Sequence, residues 1–159
     1  MWTVIDSPIG PLRLVEQAGS ITAIEFSPFR DGDGRPRGER GDDAPVLREV
    51  TRQLGEYFAG DRTEFDLPLA PIGTEWQQAV WTQLLGIAYG ETASYGEIAA
   101  RLGKTNAASR AVGVANGANP IPIVIPCHRV IGANGTLTGY AGGLERKQTL
   151  LELEQDALF

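Results

Sequence analysis

Apolar residues cluster in short runs over the first 26 positions and fall at helical spacing from residue 45 onward. Trp2-Thr3-Val4-Ile5 is short and apolar, and Ser7-Pro8-Ile9-Gly10-Pro11 carries turn chemistry. Leu12, Leu14 and the run Ile21 to Phe26 supply two further strands, so residues 2–26 predict a small β-meander. Residues 30–43, RDGDGRPRGERGDD, hold no large apolar side chain. Such a stretch buries too little to offset its ordering entropy, which predicts a mobile loop with solvated arginines.

Pro45 then opens a helix, a favoured place for proline. Val46, Leu47, Val50, Leu54, Tyr57 and Phe58 line one face of it, and Gly60 ends it. Phe65 to Gly73 contains two prolines and reads as a linker, giving lobes at 1–72 and 73–159. Thr74 and Gln77 match a capping box, and Trp76, Val80, Trp81, Leu84 and Leu85 predict the buried face of the helix that follows. Ser94-Tyr95-Gly96-Glu97 matches a second box and opens a helix closed by Gly103. Asn106 is placed to cap a third helix running to about Asn116. Helix, short turn, helix is the outline of a helix-turn-helix. Its second helix is thin, with Ala107, Ala108, Ala111, Gly113, Ala115 and Gly117. Small residues there suit either tight helix packing or close approach to nucleic acid.

The scarce residues narrow the chemistry. One cysteine excludes an internal disulfide or a multi-cysteine zinc site, and one histidine excludes a multi-histidine metal centre. No apolar run approaches the ~20 residues of a membrane helix. The N-terminus has no signal-peptide pattern, so a cytoplasmic location is expected. The net charge of -6 argues against a general polyanion binder, but the charge is uneven. Residues 91–149 hold 6 basic and 3 acidic side chains between acidic flanks, a hint of nucleic-acid contact.

Any Cys/His chemistry must use the neighbours Cys127 and His128. Three prolines in Asn119-Pro-Ile-Pro-Ile-Val-Ile-Pro-Cys127 fix the backbone and bias it towards extended geometry. A lone cysteine in apolar surroundings is ordinarily a small core residue. His128 and Arg129 shift that balance, because cationic neighbours favour the thiolate. In an extended chain successive side chains diverge, so His128 needs a local turn or a bridging water to reach Cys127. A carboxylate should hold the imidazole in one tautomer, and Glu145, Glu152 or Glu154 is available for it.

The run IPCHRVIGANGTLTGYAGG resembles the active-site signature of the O6-alkylguanine-DNA alkyltransferases, or methylated-DNA–protein-cysteine methyltransferases. The resemblance extends upstream through GTEWQQAVWTQLLGIAYGETASYGEIAARLG and is strong over residues 73–154. It is looser over 1–60, where IDSPIGPL and a helix ending in YFAG match. It implies a ribonuclease-H-like α/β lobe, a small antiparallel sheet with helices. A mostly helical, winged-helix-like domain carrying the helix-turn-helix would follow.

The activity it implies is repair of O6-alkylguanine, and of O4-alkylthymine, in double-stranded DNA. The alkyl group passes irreversibly to Cys127 after nucleotide flipping, without a cofactor or metal. Residue by residue, His128 activates Cys127 through a water, Glu154 orients His128, and Tyr95 donates to guanine N3. The carbonyls of Cys127 and Val130 receive the guanine amino group, and Tyr140, Ala141 and Gly142 wall the base pocket. Arg110 fills the gap in the base stack, with Ala107, Ala108, Ser109, Ala111 and Gly113 against the minor groove. Asn119 is a hinge and Arg129 ties the segment together. A monomer is expected.

Two positions depart from the family pattern: Ala88 where relatives often have proline, and Ala141 where some have serine. The main rival is a non-catalytic alkylated-DNA-binding protein of the same fold. Such proteins lack the cysteine, so Cys127 argues against it.

Overall fold

The computed structural model describes residues 1–135, 140 and 142–156. The chain divides into two compact units, Met1–Pro71 and Ile72–Phe159.

In the first unit, β1 (Trp2–Ile5), β2 (Leu12–Gln17) and β3 (Ser20–Phe26) form an antiparallel sheet in the order β1-β2-β3. Thr3 pairs with Leu14 and Leu14 with Ile24, so alternate apolar residues share a face. Ala18 and Gly19 join β2 to β3 with φ of 51° and 85°, the double positive φ that suits a two-residue hairpin loop. The single helix of this unit, α1 (Pro45–Phe58), buries Leu47, Val50, Leu54 and Tyr57.

The opposite face of β2 carries Arg13, which is also buried. Its guanidinium donates to Glu25 Oε1 at 2.9 Å, Asp31 Oδ1 at 2.9 Å and the Arg30 carbonyl at 3.2 Å. Arg37 donates to the same Glu25 at 2.7 Å and to Asp33 at 2.8 Å. Residues 30–43 thus form no helix and no named strand, but ionic bonds tie them to the sheet. The sequence expectation weighed only apolar burial and missed this anchorage. The stretch from Phe65, read as a linker, also belongs in part to this unit: Ile21 N donates to the Pro68 carbonyl and Ala70 N to the Ile21 carbonyl, both at 2.8 Å. That pairing uses the open edge of β3.

The second unit begins with α2 (Glu75–Leu84), capped as expected by the reciprocal Thr74–Gln77 box. Val80, Trp81 and Leu84 are buried, whereas Trp76 is half-buried and Leu85, just past the helix end, is 52% exposed. β4 (Ala93–Ser94) leads into α3 (Tyr95–Arg101), where Ser94 Oγ accepts from Glu97 N at 3.1 Å. A 3-10 turn (Asn106–Ala108) and α4 (Ser109–Gly117) complete the helix-turn-helix.

Asn106 does not cap α4. It opens the 3-10 turn, and its Oδ1 accepts instead from Ser109 Oγ at 3.0 Å. Gly96 explains the packing here: a Cβ on it would stand 2.5 Å from Asn106 Oδ1, so only glycine lets the turn sit against α3.

β5 (Val130–Ile131) pairs in parallel with β4, and α5 (Leu144–Asp156) follows. Among the described residues no helix is long and apolar enough to cross a membrane.

Candidate active site

The proline-rich approach to Cys127 turns rather than running extended. Ile125 N donates to the Ile121 carbonyl at 2.9 Å, and Ile123 takes a φ of 75°, a sterically costly value for a β-branched residue. Asn119 stitches this turn, accepting from Ile121 N at 3.0 Å and donating from Nδ2 to the Ile125 carbonyl at 2.8 Å. Extended bias before each proline is thus outweighed by the Asn119 side chain. Cys127–Arg129 itself is a 3-10 turn, the local turn needed for His128 to share a neighbourhood with Cys127.

Every residue from Asn119 to Val130 is buried. His128, fully buried, shares a 2.7 Å hydrogen bond between Nε2 and Glu154 Oε2. Arg129 donates to both carboxylate oxygens of Glu154, at 2.8 and 3.0 Å, and to the Ile87 carbonyl at 2.7 Å. It also lies over the Tyr89 ring. Of the three glutamates on α5, only Glu154 is buried, because it follows Lys147 and Leu150 on the same helical face.

The charge states follow from this arrangement. Burial opposes ionisation of Glu154, but hydrogen bonds from His128 and Arg129 outweigh it and hold the carboxyl down to about 2. Burial pushes the His128 imidazole below its ordinary value despite Glu154, so the ring is neutral at pH 7. A neutral ring that donates Nε2–H to Glu154 carries its lone pair on Nδ1. That nitrogen is buried with no hydrogen-bond partner among the described residues.

Burial likewise drives the Cys127 thiol up to about 11, against smaller opposing effects from Asn119, Lys147 and Tyr140. The sequence expectation that cationic neighbours would favour the thiolate is therefore wrong for the free protein. Arg129 is committed to Glu154 and His128 is uncharged, leaving desolvation to dominate.

Sequence profiles of 6-O-methylguanine DNA methyltransferases match both units, the ribonuclease-like domain over residues 1–71 and the DNA binding domain over 75–156. The chain belongs to the 6-O-methylguanine DNA methyltransferase family. A Methanosarcina acetivorans methylated-DNA–protein-cysteine methyltransferase is 49% identical over 155 residues, covering 96% of this chain and 97% of that protein. One from Mycobacterium bovis is 51% identical over 154 residues, covering 97% and 92%. The crystal structure of Mycobacterium tuberculosis O6-methylguanine methyltransferase superposes with a TM-score of 0.89 at 48% identity, covering 98% of this chain and 93% of that one. A structure of Mycobacterium tuberculosis OGT in complex with DNA gives 0.86 at the same identity and coverage.

Tyr95 is the first residue of α3, half-buried, with its ring edge facing Gly113. Gly113 therefore points at Tyr95, not at open surface. Ala107, Arg110 and Ala111 are exposed, and Ala108 and Ser109 half-buried. Tyr140 and Gly142 are half-buried, and the Gly142 carbonyl accepts from Arg146 at 3.1 Å. Ala141 lies outside the described residues.

The two carbonyls expected to receive a base already hold protein donors. Val130 O accepts from Lys147 Nζ at 2.6 Å. Cys127 O accepts from Val130 N and from Asn116 Nδ2, the latter at 3.2 Å.

Lys147 and Asn116 were not singled out from sequence. A lysine in the buried register of α5 was a readable signal for the first, but a buried asparagine on α4 offers none until the helix is seen. Trp76 and Trp81 were read as core only. Their indoles also donate to the Ala111 and Ala115 carbonyls, at 3.3 and 2.8 Å, and so fix α4 against α2.

Proposed function

We propose that this protein repairs O6-alkylguanine in double-stranded DNA, and O4-alkylthymine as well, by transferring the alkyl group irreversibly to Cys127. Each molecule acts once. The carrying observation is the buried Cys127 on a turn next to a neutral His128 that is hydrogen-bonded to Glu154. An alkyl carbon on a paired base is inaccessible inside the duplex, so the nucleotide must leave the stack. The thin α4 helix and the turn before it suit close approach to the minor groove through Ala107, Ala108, Ser109 and Ala111, with Arg110 occupying the gap, while Gly113 makes room for the Tyr95 ring.

In the reaction the Cys127 proton passes through a bridging water to His128 Nδ1, and Glu154 keeps the imidazole in the tautomer that can accept it. The S–C bond forms as the C–O6 bond breaks. Negative charge grows on the leaving guanine, and the Tyr95 hydroxyl stabilises it at N3. The departing base takes a proton at N3 from the Tyr95 hydroxyl, and the His128 imidazolium gives up the thiol proton through water to restore that hydroxyl, so the net transfer is one proton from thiol to base. Val130, Tyr140, Ala141 and Gly142 would contact the base, Asn119 would act as hinge, and Arg129 would hold Glu154. Residues 73–159 would form the DNA-binding and acceptor domain, with 1–72 as a second lobe. The protein would act as a cytoplasmic monomer.

The test is intact-protein mass after mixing with a duplex carrying O6-methylguanine. One methyl increment on the peptide holding Cys127 is expected. Many methyl groups removed per protein molecule would refute the single-use reading.

A further inference from the structure

The solvent-facing side of α4 is almost bare of polar atoms. Arg110, Ala111, Val114, Gly117 and Ala118 are exposed, with Ala107 ahead of them in the 3-10 turn, and their spacing of three and four residues puts them on one face. Only two of these side chains reach beyond Cβ. Arg110 makes no hydrogen bond or ion pair among the described residues. Val114 is 69% exposed, more than any other large apolar side chain among the described residues. It follows Arg110 by one turn, about 6 Å further along the helix axis.

A face built this way meets the two kinds of base pair unequally. On the floor of the minor groove every pair shows acceptors, and a G·C pair adds the N–H of the guanine 2-amino group. In free DNA water accepts from that N–H. Beside Val114 it would lose the water and meet two methyl groups. Ala107, Ala111 and Ala118 offer no acceptor, and Arg110 is a donor only. Nothing on this face takes the place of the lost water, so the amine is left unmet.

We infer that Val114 is a specificity-determining residue that selects the sequence around the lesion, favouring A·T over G·C at a base pair close to the nucleotide that leaves the stack. The inference rests on the minor-groove approach proposed above and adds a preference for context to it. With Arg110 in the gap, one turn of helix spans about two base steps of ~3.4 Å, so the pair that Val114 reads lies one or two steps from the lesion.

The test uses duplexes that carry O6-methylguanine and a G·C pair at the first or second position on either side. Each is matched by a duplex with hypoxanthine in place of that flanking guanine. Hypoxanthine still pairs with cytosine and lacks only the 2-amino group. Single-turnover transfer is measured with protein in excess of DNA but below saturation. For the wild type, at one of these positions or more, the hypoxanthine duplex is expected to react about tenfold faster, the cost of one unmet N–H. Val114→Ser shortens the side chain and supplies an acceptor, so the ratio should fall about fivefold or more, through faster reaction of the guanine duplex. Val114→Leu extends the apolar side chain and should hold the ratio at about tenfold or above.

The weaker hypoxanthine pair also eases flipping, but equally for all three proteins, so the change in ratio reports Val114 alone. Each preparation meets both duplexes, and the ratio therefore does not depend on how much of a variant is folded. A wild-type ratio near one at every position, a ratio unchanged by Val114→Ser, or an equal fall in both variants would overturn the inference. Absence of transfer from every duplex by the wild type would instead strike the function on which it rests, and is seen before any variant is compared.

Discussion

Glu154→Gln separates two contributions of one side chain. In the wild type the carboxylate accepts from Arg129 Nε and Nη2 at 2.8 and 3.0 Å and bonds His128 Nε2 at 2.7 Å, all shielded from water. Glutamine fills the same volume but offers one acceptor oxygen and one NH2 group. Arg129 then stays buried without a counter-charge, which costs about 3–5 kcal/mol. For a chain of this size that lowers Tm by roughly 6–20 °C.

The second effect is on the imidazole. An NH2 group facing Nε2 favours the tautomer that carries its proton on Nδ1, leaving that nitrogen unable to accept one. Loss of a positioned base slows proton transfer by about 10²- to 10⁴-fold. Thermal unfolding reads the first effect. Single-turnover alkyl transfer, measured well below the variant's Tm, reads the second. A variant with Tm within about 3 °C of wild type and a rate within about threefold would refute both arguments.

Stability should also depend on pH. His128 is buried neutral, so below about 6.5 the unfolded state binds a proton that the folded state refuses, and stability falls. Glu154, held to about 2 when folded, adds a further loss as pH drops through the ordinary carboxyl value of 4.5. Cys127, raised to about 11, removes stability above pH 9, where only the unfolded thiol ionises. Denaturant titrations from pH 4 to 10 check all three signs, and stability rising as pH falls from 7 to 5 would contradict the first. Arg110→Ala should weaken transfer from duplex DNA while leaving reaction with a free alkylated base nearly unchanged; equal losses would point to a damaged fold. Tyr95→Phe should slow the chemical step by about 10²-fold at unchanged DNA affinity, read by single-turnover kinetics beside a binding titration.

Much of the fold was legible because local rules and tertiary structure agree. The Thr74–Gln77 box, Pro45 at the start of α1 and the two-strand run after Pro11 are all local signals. What escaped depends on side chains far apart in sequence. Arg13 and Arg37 share Glu25, and this anchors residues 30–43 without any apolar residue. Asn119 folds the proline-rich segment back on itself, against the local preference of each residue before proline. At the site the residue types were readable but their charge states were not. A thiol followed by His and Arg looks activated on paper, and only burial together with the commitment of Arg129 to Glu154 reverses the sign.

That reversal suits an acceptor that is used once. A thiolate is the species that attacks carbon, and it is also the species that oxidants and stray electrophiles consume. Raising the thiol from 9 to about 11 cuts the ionised fraction at pH 7 by about a hundredfold. The thiolate that does form is more basic and about eightfold more nucleophilic, so resting reactivity falls by roughly tenfold. In the docked complex the balance changes. If His128 removes the proton in the same step as the attack, the small ionised fraction no longer limits the rate, while the gain in nucleophilicity remains. The neutral imidazole is essential to this argument. An imidazolium would already hold its proton, would stabilise a resting thiolate, and would forfeit the protection that burial provides.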